Sequence, residues 1–358
     1  EKALPKMITS GSRVYNADLD KDGKEDLIVL GRQLPKNYPA SANSSILLNK
    51  SENGIAKFKD ATDDVLKEFN ALGMATSAVV TDIDNDSWLD LIVVGEWMPI
   101  RIFKNNKGKF KEVSKDMGVD KDTTGWWWSI QEGDFDNDGD MDYILGNNGL
   151  NYKYKASEDE TFDIFIKDFD NNKKNDIVLS YYNDGEQYPV RGRECSSQQI
   201  PAIKHVFKDY KSFSEATLID VYSKQDLDNA IHHQVKSFAS IYLENDKGQF
   251  ISHKLPIQAQ FSSINQILVN DYDKDGNLDA LIAGNLHVSE VETPRNDASH
   301  GLFLKGNGNG TFSPVPVLKS GFYASGDVKD MSEIMVNQER HIIIAKNNDK
   351  VQYLKLKN

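Results

Sequence analysis

Cysteine and long apolar runs are nearly absent from this chain. Its one cysteine, Cys195, excludes an internal disulfide framework. No stretch reaches the roughly 18 consecutive apolar residues that indicate a membrane-spanning helix. The sequence opens at Glu1 without an initiator Met or an apolar leader, so we expect a mature or trimmed fragment of a longer, multidomain chain.

Basic residues are in deficit. The 358 residues include 42 Lys and Arg against 55 Asp and Glu, which gives a formal net charge of −13. Because binding to a phosphate backbone needs concentrated Lys and Arg, this balance argues against a nucleic acid partner.

The acidic residues fall into a repeat. Its pattern is an apolar strand, then D-x-D-x-[DN]-x-x-x-D, then a short β-branched run. Five copies begin at Asp18, Asp82, Asp134, Asp168 and Asp271. A sixth cassette, residues 326–330, keeps the approach strand but lacks most of the acids.

Carboxylates at this density repel one another unless a cation binds them, and calcium is the divalent ion that best suits flexible sets of six to eight oxygen ligands. We therefore predict about five Ca²⁺ sites, with side-chain ligands at loop positions 1, 3, 5 and 9. Asn172 replaces the acid at position 5 of the fourth loop. The predicted ligands are Asp18, Asp20, Asp22, Asp26, Asp82, Asp84, Asp86, Asp90, Asp134, Asp136, Asp138, Asp142, Asp168, Asp170, Asn172, Asp176, Asp271, Asp273, Asp275 and Asp279.

The loops are not EF-hands. That motif needs Glu at position 12 and a helix on each side. Here position 12 is apolar in every copy, and it lies in a β-type run: Val29, Val93, Leu145, Leu179 and Ile282.

Further strands with Asn and Gly at their turns follow most loops, so each unit is interpreted as four short antiparallel strands. Units of this kind repeated around an axis form a β-propeller. The fold prediction is therefore all-β, a propeller of six blades, with seven as the alternative. We expect the last unit to contain strands at 323–328, 341–346 and 351–356, and a strand at 2–8 to complete it.

One interval between loops is longer than the others. Asp168 and Asp271 are separated by about twice the usual spacing, and the excess has helical character. Ser212 with Glu215, and Ser223 with Asp226, have capping-box spacing. We predict a single domain over residues 1–358, with a mostly helical insertion at 187–234 in the fourth blade, whose outer strands resume at Ser237.

The loops resemble the FG-GAP or VCBS repeats of integrin-alpha-like propellers. The segments GRQLPKNYP, SAVVTDIDNDSWLDLIVVGEWMPI, GWWWSI, GNNGLNYKYKAS, YYNDGEQYPVRGRECSSQQIP and AGNLHVSEVET are similar to the propeller region of ASPIC/UnbV-type surface proteins of Bacteroidetes. The ASPIC/UnbV module itself is not recognisable in the chain. The resemblance implies a calcium-stabilised, exported propeller at or beyond the outer membrane.

Two groups are candidates for partner binding. Trp126 and Trp128 share one face of a strand, where they either pack between blades or form an aromatic platform for a sugar or peptide. Arg191, Arg193 and Glu194 either anchor the insertion or hold a carboxylate or acidic sugar.

Catalytic motifs such as G-x-S-x-G and H-E-x-x-H are missing from the sequence. The functional prediction is a non-catalytic interaction module at the cell surface, whose partner is a surface or outer-membrane protein or a glycan. The alternative is a carbohydrate-active enzyme, a polysaccharide lyase or hydrolase, built on a calcium-rich propeller.

Overall fold

The computed structural model describes residues 3–7, 10–119, 121–289 and 293–357. The fold is all-β, with several four-stranded antiparallel sheets and a few short helices, and it is consistent with the expected propeller. Within these ranges no helix has both the length and the apolar character needed to cross a membrane.

The strands are numbered in chain order. They are β1 (Ser10–Ala17), β2 (Asp26–Gln33), β3 (Ser45–Asn49), β4 (Phe58–Asp60), β5 (Met74–Thr81), β6 (Asp90–Met98), β7 (Arg101–Asn105), β8 (Phe110–Glu112), β9 (Gly125–Trp126), β10 (Ser129–Gly133), β11 (Asp142–Gly146), β12 (Phe162–Lys167), β13 (Asp176–Asn183), β14 (Glu186–Pro189), β15 (Ile231–Val235), β16 (Ile241–Asp246), β17 (Gln249–Lys254), β18 (Ile264–Asn270), β19 (Asp279–Gly284), β20 (Leu302–Gly306), β21 (Phe312–Val315), β22 (Val328–Val336), β23 (Glu339–Lys346) and β24 (Gln352–Lys355).

The helices are short. The α-helices are α1 (Thr62–Val65), α2 (Arg193–Gln199), α3 (Ile203–Val206), α4 (Tyr210–Ser214), α5 (Leu218–Tyr222), α6 (Lys224–Asp228) and α7 (Val317–Ser320). Single 3₁₀ turns occupy Lys67–Ala71, Lys121–Thr123 and Ile257–Gln260.

The chain divides into two compact units. The main unit comprises the described residues of Glu1–Lys121, Trp126–Lys153 and Phe238–Asn358. The inserted unit comprises Asp122–Gly125 and Tyr154–Ser237. The inserted unit begins before residue 187 and contains strands as well as helices. Its helices α2–α6, from Arg193 to Asp228, all fall within the predicted helical insertion at 187–234.

The main unit contains five sheets over its described residues. The first is β1–β4, the second β5–β8 with β9 also paired to β6, the third β10-β11-β16-β17, the fourth β18–β21 and the fifth β22–β24. Neighbours along each of these strand orders are antiparallel. Apolar side chains from consecutive sheets form shared cores. In β6 all nine residues are buried, as expected for a strand covered on both faces.

The third sheet corrects the predicted strand assignment. The strands after Ser237 were expected to complete the fourth unit, but β16 pairs with β11 at Tyr143–Leu243 and Leu145–Ile241. The inserted sheet, with order β14-β13-β12-β15, is completed by β15 instead. The inserted unit therefore interrupts the chain between β11 and β16, the second and third strands of the third sheet.

The fifth sheet differs from its prediction. The sixth cassette was expected to follow an approach strand at 323–328, but β22 begins at Val328 and runs to Val336. A two-residue turn at Asn337 and Gln338, both with positive φ, connects it to β23. This turn takes the place of an acidic loop, so Asp327 lies before the first strand of its sheet rather than in an acidic loop between two strands.

The strand expected at 2–8 is not formed by its described residues, 3–7. The carbonyl of Ala3 instead accepts a hydrogen bond from the backbone N–H of Phe58 in β4, at 2.7 Å. Lys2 and Ile8 lie outside the described residues. Over the described part of the chain, the fifth sheet has three strands.

The helices of the inserted unit follow local capping rules. Ser223 caps α6 and accepts a hydrogen bond from the N–H of Asp226, as predicted. The prediction for Ser212 was wrong, because Asp209 caps α4 and accepts from the N–H of Ser212 at 2.7 Å. Phe165 and Val178 of the inserted sheet share a core with Phe213 and Leu218 of the helices.

Candidate metal centres

The five acidic loops occupy equivalent places. Each connects the two strands of a β-hairpin, and the aspartate at loop position 9 is the first residue of the second strand. The residues at position 9 are Asp26, Asp90, Asp142, Asp176 and Asp279.

All five loops share one backbone conformation. Position 4 has a positive φ of 57° to 64°, at Lys21, Asn85, Asn137, Asn171 and Lys274. Position 6 is also left-handed, at Gly23, Ser87, Gly139, Lys173 and Gly276. Non-glycine residues resist this region, so the adoption of it by Ser87 (71°) and Lys173 (69°) shows that the loop geometry overrides local preference.

The aspartate at position 1 holds the loop closed. In every copy its Oδ2 accepts a hydrogen bond from the backbone N–H of position 6, at 2.7 to 3.2 Å. In four copies its Oδ1 also accepts from the N–H of position 5. These bonds turn the carboxylates of the loop inward before any cation arrives.

The aspartate at position 9 links the loop to the sheet. Asp90 accepts from the N–H of Ile83 at 3.1 Å and from that of Asn105, in the third strand, at 2.7 Å. Asp26, Asp142 and Asp279 make the same pair of bonds. Burial raises the pKa of Asp90 and of Asp142 to about 6.

The loops bring carboxylates together as predicted from their spacing. In each loop three aspartates offer oxygens that all lie within 4.8 Å of one another. The triplets are Asp18, Asp20 and Asp22; Asp82, Asp84 and Asp86; Asp134, Asp136 and Asp142; Asp168, Asp170 and Asp176; and Asp271, Asp273 and Asp279. The other predicted ligands, on the same loops, are Asp26, Asp90, Asp138, Asn172 and Asp275.

This donor set fits a hard divalent cation. The triplets offer only oxygen atoms, the ligands that calcium prefers. In the third loop the Oδ1 of Asp134 is buried and has no hydrogen-bond partner. A buried carboxylate oxygen without a donor is costly, and a bound cation would remove that cost.

Lysines accompany some loops. Lys104 contacts Asp84 and Asp86 of the second loop, and Lys305 contacts Asp273 and Asp275 of the fifth. Lys50 contacts Asp20 and Asp22 of the first loop at 3.4 Å.

The third loop is different. Glu244 occupies the strand position that corresponds to Lys104 and Lys305. Burial, together with the neighbouring charges of Asp138, Asp134 and Glu244, raises the pKa of Asp136. Of the four loops in the main unit, the third is therefore in the most negatively charged surroundings.

The three consecutive tryptophans lie in three different environments. Trp126 is buried against Trp97, with ring centroids 5.0 Å apart, and against Phe238 and Tyr152. Trp127 is buried in the core between the second and third sheets. Trp128 is half-buried, and its Nε1 donates to Asn148 Oδ1 at 2.7 Å.

The second candidate group lies in the inserted unit. Arg193 donates to the carbonyls of Phe207 and Lys208 and pairs with Glu194. Lys204 also pairs with Glu194, at 2.9 Å. Arg193 and Glu194 thus fasten α2 to the segment after α3, while Arg191 lies just before α2.

Sequence reasoning missed a pocket in the main unit. This first-strand pocket, of about 330 Å³, is lined in part by Ser12, Arg13, Arg32, Thr76, Trp128 and Lys329. These residues lie far apart in sequence and meet only because the first strands of the five sheets converge. The GWWWSI motif was the one signal that pointed to it.

A family model agrees with the repeat pattern. The model of the FG-GAP-like repeat matches residues 18–93 and 82–145, and it is not the model of a catalytic family. Among solved structures, the crystal structure of the V. cholerae biofilm matrix protein Bap1 is similar at 10% identity and a TM-score of 0.34, covering 100% of this chain and 70% of that one. No curated protein is significantly similar in sequence. The chain therefore carries FG-GAP-like repeats, in the segment of residues 18–145 that contains its first three acidic loops.

Proposed function

We propose that this protein is a non-catalytic, calcium-stabilised interaction module that works outside the cell. The observation that carries the proposal is the shared loop geometry: five loops with one backbone conformation, each with three aspartate oxygens within 4.8 Å of one another. FG-GAP-like repeats are typical of extracellular proteins, where calcium sites of modest affinity are filled. The parent chain would be a surface protein of the VCBS and ASPIC/UnbV type.

The main unit would be a propeller of five blades, rather than the six or seven predicted. Support comes from the consecutive packing of the sheets through shared cores. Arg13 of β1 and Asp330 of β22 approach to 3.7 Å, which brings the last sheet to the first. The inserted sheet, which made the sixth unit in the sequence, belongs to the other compact unit.

Calcium would act by fixing the first hairpin of each sheet. The aspartate at position 9 already joins the loop to the second and third strands, so a cation on the same loop would stiffen three elements at once. At one hundred times its dissociation constant, a ligand that binds only the native state stabilises by about 2.7 kcal/mol per site. Calcium binding would therefore contribute a large part of the free energy of unfolding.

The partner would be a surface or outer-membrane protein or a glycan. The enzyme alternative has no comparable support. The buried carboxyl groups of Asp90 and Asp142, whose pKa values are raised, each accept two backbone hydrogen bonds, which assigns them to the framework.

The deciding experiment is thermal unfolding in millimolar calcium, in excess EDTA and in millimolar magnesium. We expect a fall in melting temperature of several degrees or more in EDTA, and at most partial recovery with magnesium, because magnesium requires a stricter octahedron. An unchanged melting temperature in EDTA would refute the calcium role.

A further inference from the structure

The first-strand pocket lies at the opposite end of the strands from the acidic loops. Ser12 and Lys329 lie near the starts of their strands, and Trp128 directly precedes β10, whereas each loop follows the end of a first strand. A strand rises about 3.3 Å per residue, so the eight residues of β1 place the two ends roughly 25 Å apart. The pocket therefore has its own electrostatics, distinct from those of the loops.

Three cations face this pocket. Arg13, Arg32 and Lys329 line it, and none of the described residues that line it is acidic. The acids that balance Arg32 and Lys329 are set behind them, since the side chains of Glu96 and Asp327 are only 4% and 1% exposed. Arg13 pairs with Asp330, whose side chain is 54% exposed, so the cationic surface that a ligand meets is that of Arg32 and Lys329.

Arg32 is held ready for a ligand. It pairs with Glu96, which also accepts a hydrogen bond from the Tyr38 hydroxyl at 3.2 Å. Its guanidinium lies over the ring of Trp128, 5.3 Å from the centroid. The Nε–H of Arg32 is buried and has no hydrogen-bond partner. The Arg32 side chain as a whole is 37% exposed, so its guanidinium, held by Glu96 and Trp128, can meet an acceptor on a bound molecule with little loss of side-chain entropy.

The neutral groups of the pocket point to hydroxyls rather than to a bare anion. The Ser12 hydroxyl donates to the carbonyl of Ala75 at 2.8 Å, and the Thr76 hydroxyl donates to that of Trp127 at 2.7 Å. Their protons are committed, so the two oxygens offer lone pairs to a ligand's hydroxyl groups. Trp128 adds an aromatic surface, which suits the C–H face of a sugar ring.

We infer that the first-strand pocket binds a carboxylate-bearing sugar, a hexuronate unit of an acidic glycan. The carboxylate would be bound by Arg32 and Lys329, and the ring hydroxyls by the oxygens of Ser12 and Thr76. A volume of about 330 Å³ is at the small end of ligand pockets, which matches one sugar unit. This inference rests on the proposed function as an interaction module and names the ligand of that module.

The test uses the full chain in saturating calcium, labelled with ¹⁵N-tryptophan. The chain has five tryptophans, and Trp128→Phe identifies the indole signal of Trp128. Titration with glucuronate or galacturonate should shift this signal saturably, and glucose and galactose should bind at least about tenfold more weakly. Charge-assisted hydrogen bonds of this kind account for a factor of about ten or more.

Two variants and a matched control locate the site. Arg32→Lys keeps a charge beside Glu96 but removes the planar guanidinium, and Lys329→Gln removes one cation. Each should weaken hexuronate binding about tenfold. Lys247→Gln, at an exposed lysine in the turn between β16 and β17, should leave binding unchanged.

Three results would overturn the inference. They are the lack of a saturable shift with either uronate, equal binding of glucose and glucuronate, and stronger binding of N-acetylglutamate than of glucuronate, which would make a peptide carboxylate the ligand. Indole spectra and melting curves of the variants verify their fold. Because the calcium proposal is tested by EDTA melting alone, failure of the sugar titration leaves that result intact.

Discussion

Asp142 Oδ1 accepts a hydrogen bond, at 2.9 Å, from the backbone N–H of Asn245, which lies 103 residues later in the chain. Its Oδ2 accepts from the N–H of Phe135 at 3.2 Å and from the hydroxyl of Tyr242 at 2.8 Å. One carboxylate thus joins the third loop to two strands that the inserted unit separates in sequence.

Replacement of this carboxylate should destabilise the main unit. We expect Asp142→Ala to lower the free energy of unfolding by at least about 2 kcal/mol, because it leaves buried donors without acceptors. Urea unfolding in EDTA isolates this effect from metal binding. Asp246→Ala, at an exposed residue that contacts only Lys247 among the ion pairs of the described chain, should change stability by less than about 0.5 kcal/mol. Equal effects of the two changes would contradict the framework role.

Calcium affinity should differ between loops. The third loop has Glu244 where the second has Lys104, and it also has the unpartnered Oδ1 of Asp134. We therefore expect the third loop to bind calcium most tightly of the four loops in the main unit. In calorimetric titrations Asp136→Asn should remove the tightest site of that unit, while Asp84→Asn should remove a weaker one. The reverse order would show that the lysine does not compete with calcium.

Backbone strain at loop position 6 predicts a further difference. Gly276 has φ +92°, and nothing lies within 4 Å of where a Cβ would be, so Gly276→Ala is strained by conformation alone. It should cost about 1–2 kcal/mol. Ser87→Ala exchanges one strained residue for another and should cost almost nothing. Melting curves in calcium measure both, and a cost at Ser87 as large as at Gly276 would rule out this explanation.

Unfolding measurements can distinguish tryptophans that pack in the core from tryptophans that form a binding platform. Trp126 is buried among Trp97, Phe238 and Tyr152, so Trp126→Ala should cost about 3–5 kcal/mol in urea unfolding. Trp128 is half-buried, and Trp128→Ala should cost about 1–2 kcal/mol. If Trp126→Ala left stability unchanged but abolished binding to a partner, the packing role would be wrong.

Removal of residues 154–237, the longer of the two segments of the inserted unit, should leave the main unit folded. The N–H of Gly149 donates to the carbonyl of Phe238 at 2.8 Å, so the main-unit chain ends on either side of the deletion are already close. A short Gly-Ser linker in place of residues 154–237 should preserve cooperative, calcium-dependent unfolding and reduce the calcium stoichiometry from five to four. Deletion of 187–234 alone would remove β15 from the inserted sheet and is a poorer test. Loss of cooperative unfolding in the longer deletion would contradict the division into units.

Local features were predictable from the sequence, and long-range pairings were not. The loops were identified because carboxylate spacing is a local signal, and the structure gives each copy the same conformation. The partner of β16 was misassigned, since sequence order favours the preceding sheet and nothing in residues 241–246 specifies β11. The turn at Asn337 and Gln338 lacks the usual glycine, so its hairpin was not recognised.

In the candidate sites, too, local groups of residues were predictable from the sequence and long-range groups were not. The predicted calcium ligands lie together because each set comes from nine consecutive residues. Arg13, Arg32 and Lys329 were not singled out, because each is an ordinary cation in its own strand and they share a pocket only through the convergence of five sheets.

The interruption of the third sheet also sets an order of events during synthesis. Asn245 leaves the ribosome 103 residues after its partner Asp142, which at translation rates of about 5–20 residues per second is a delay of roughly 5–20 s. During that time β11 has β10 on one side only, and its other edge, which will pair with β16, is exposed and could pair wrongly. Rapid folding of the inserted unit would shorten the effective loop between Asp142 and Asn245 and so favour the correct closure.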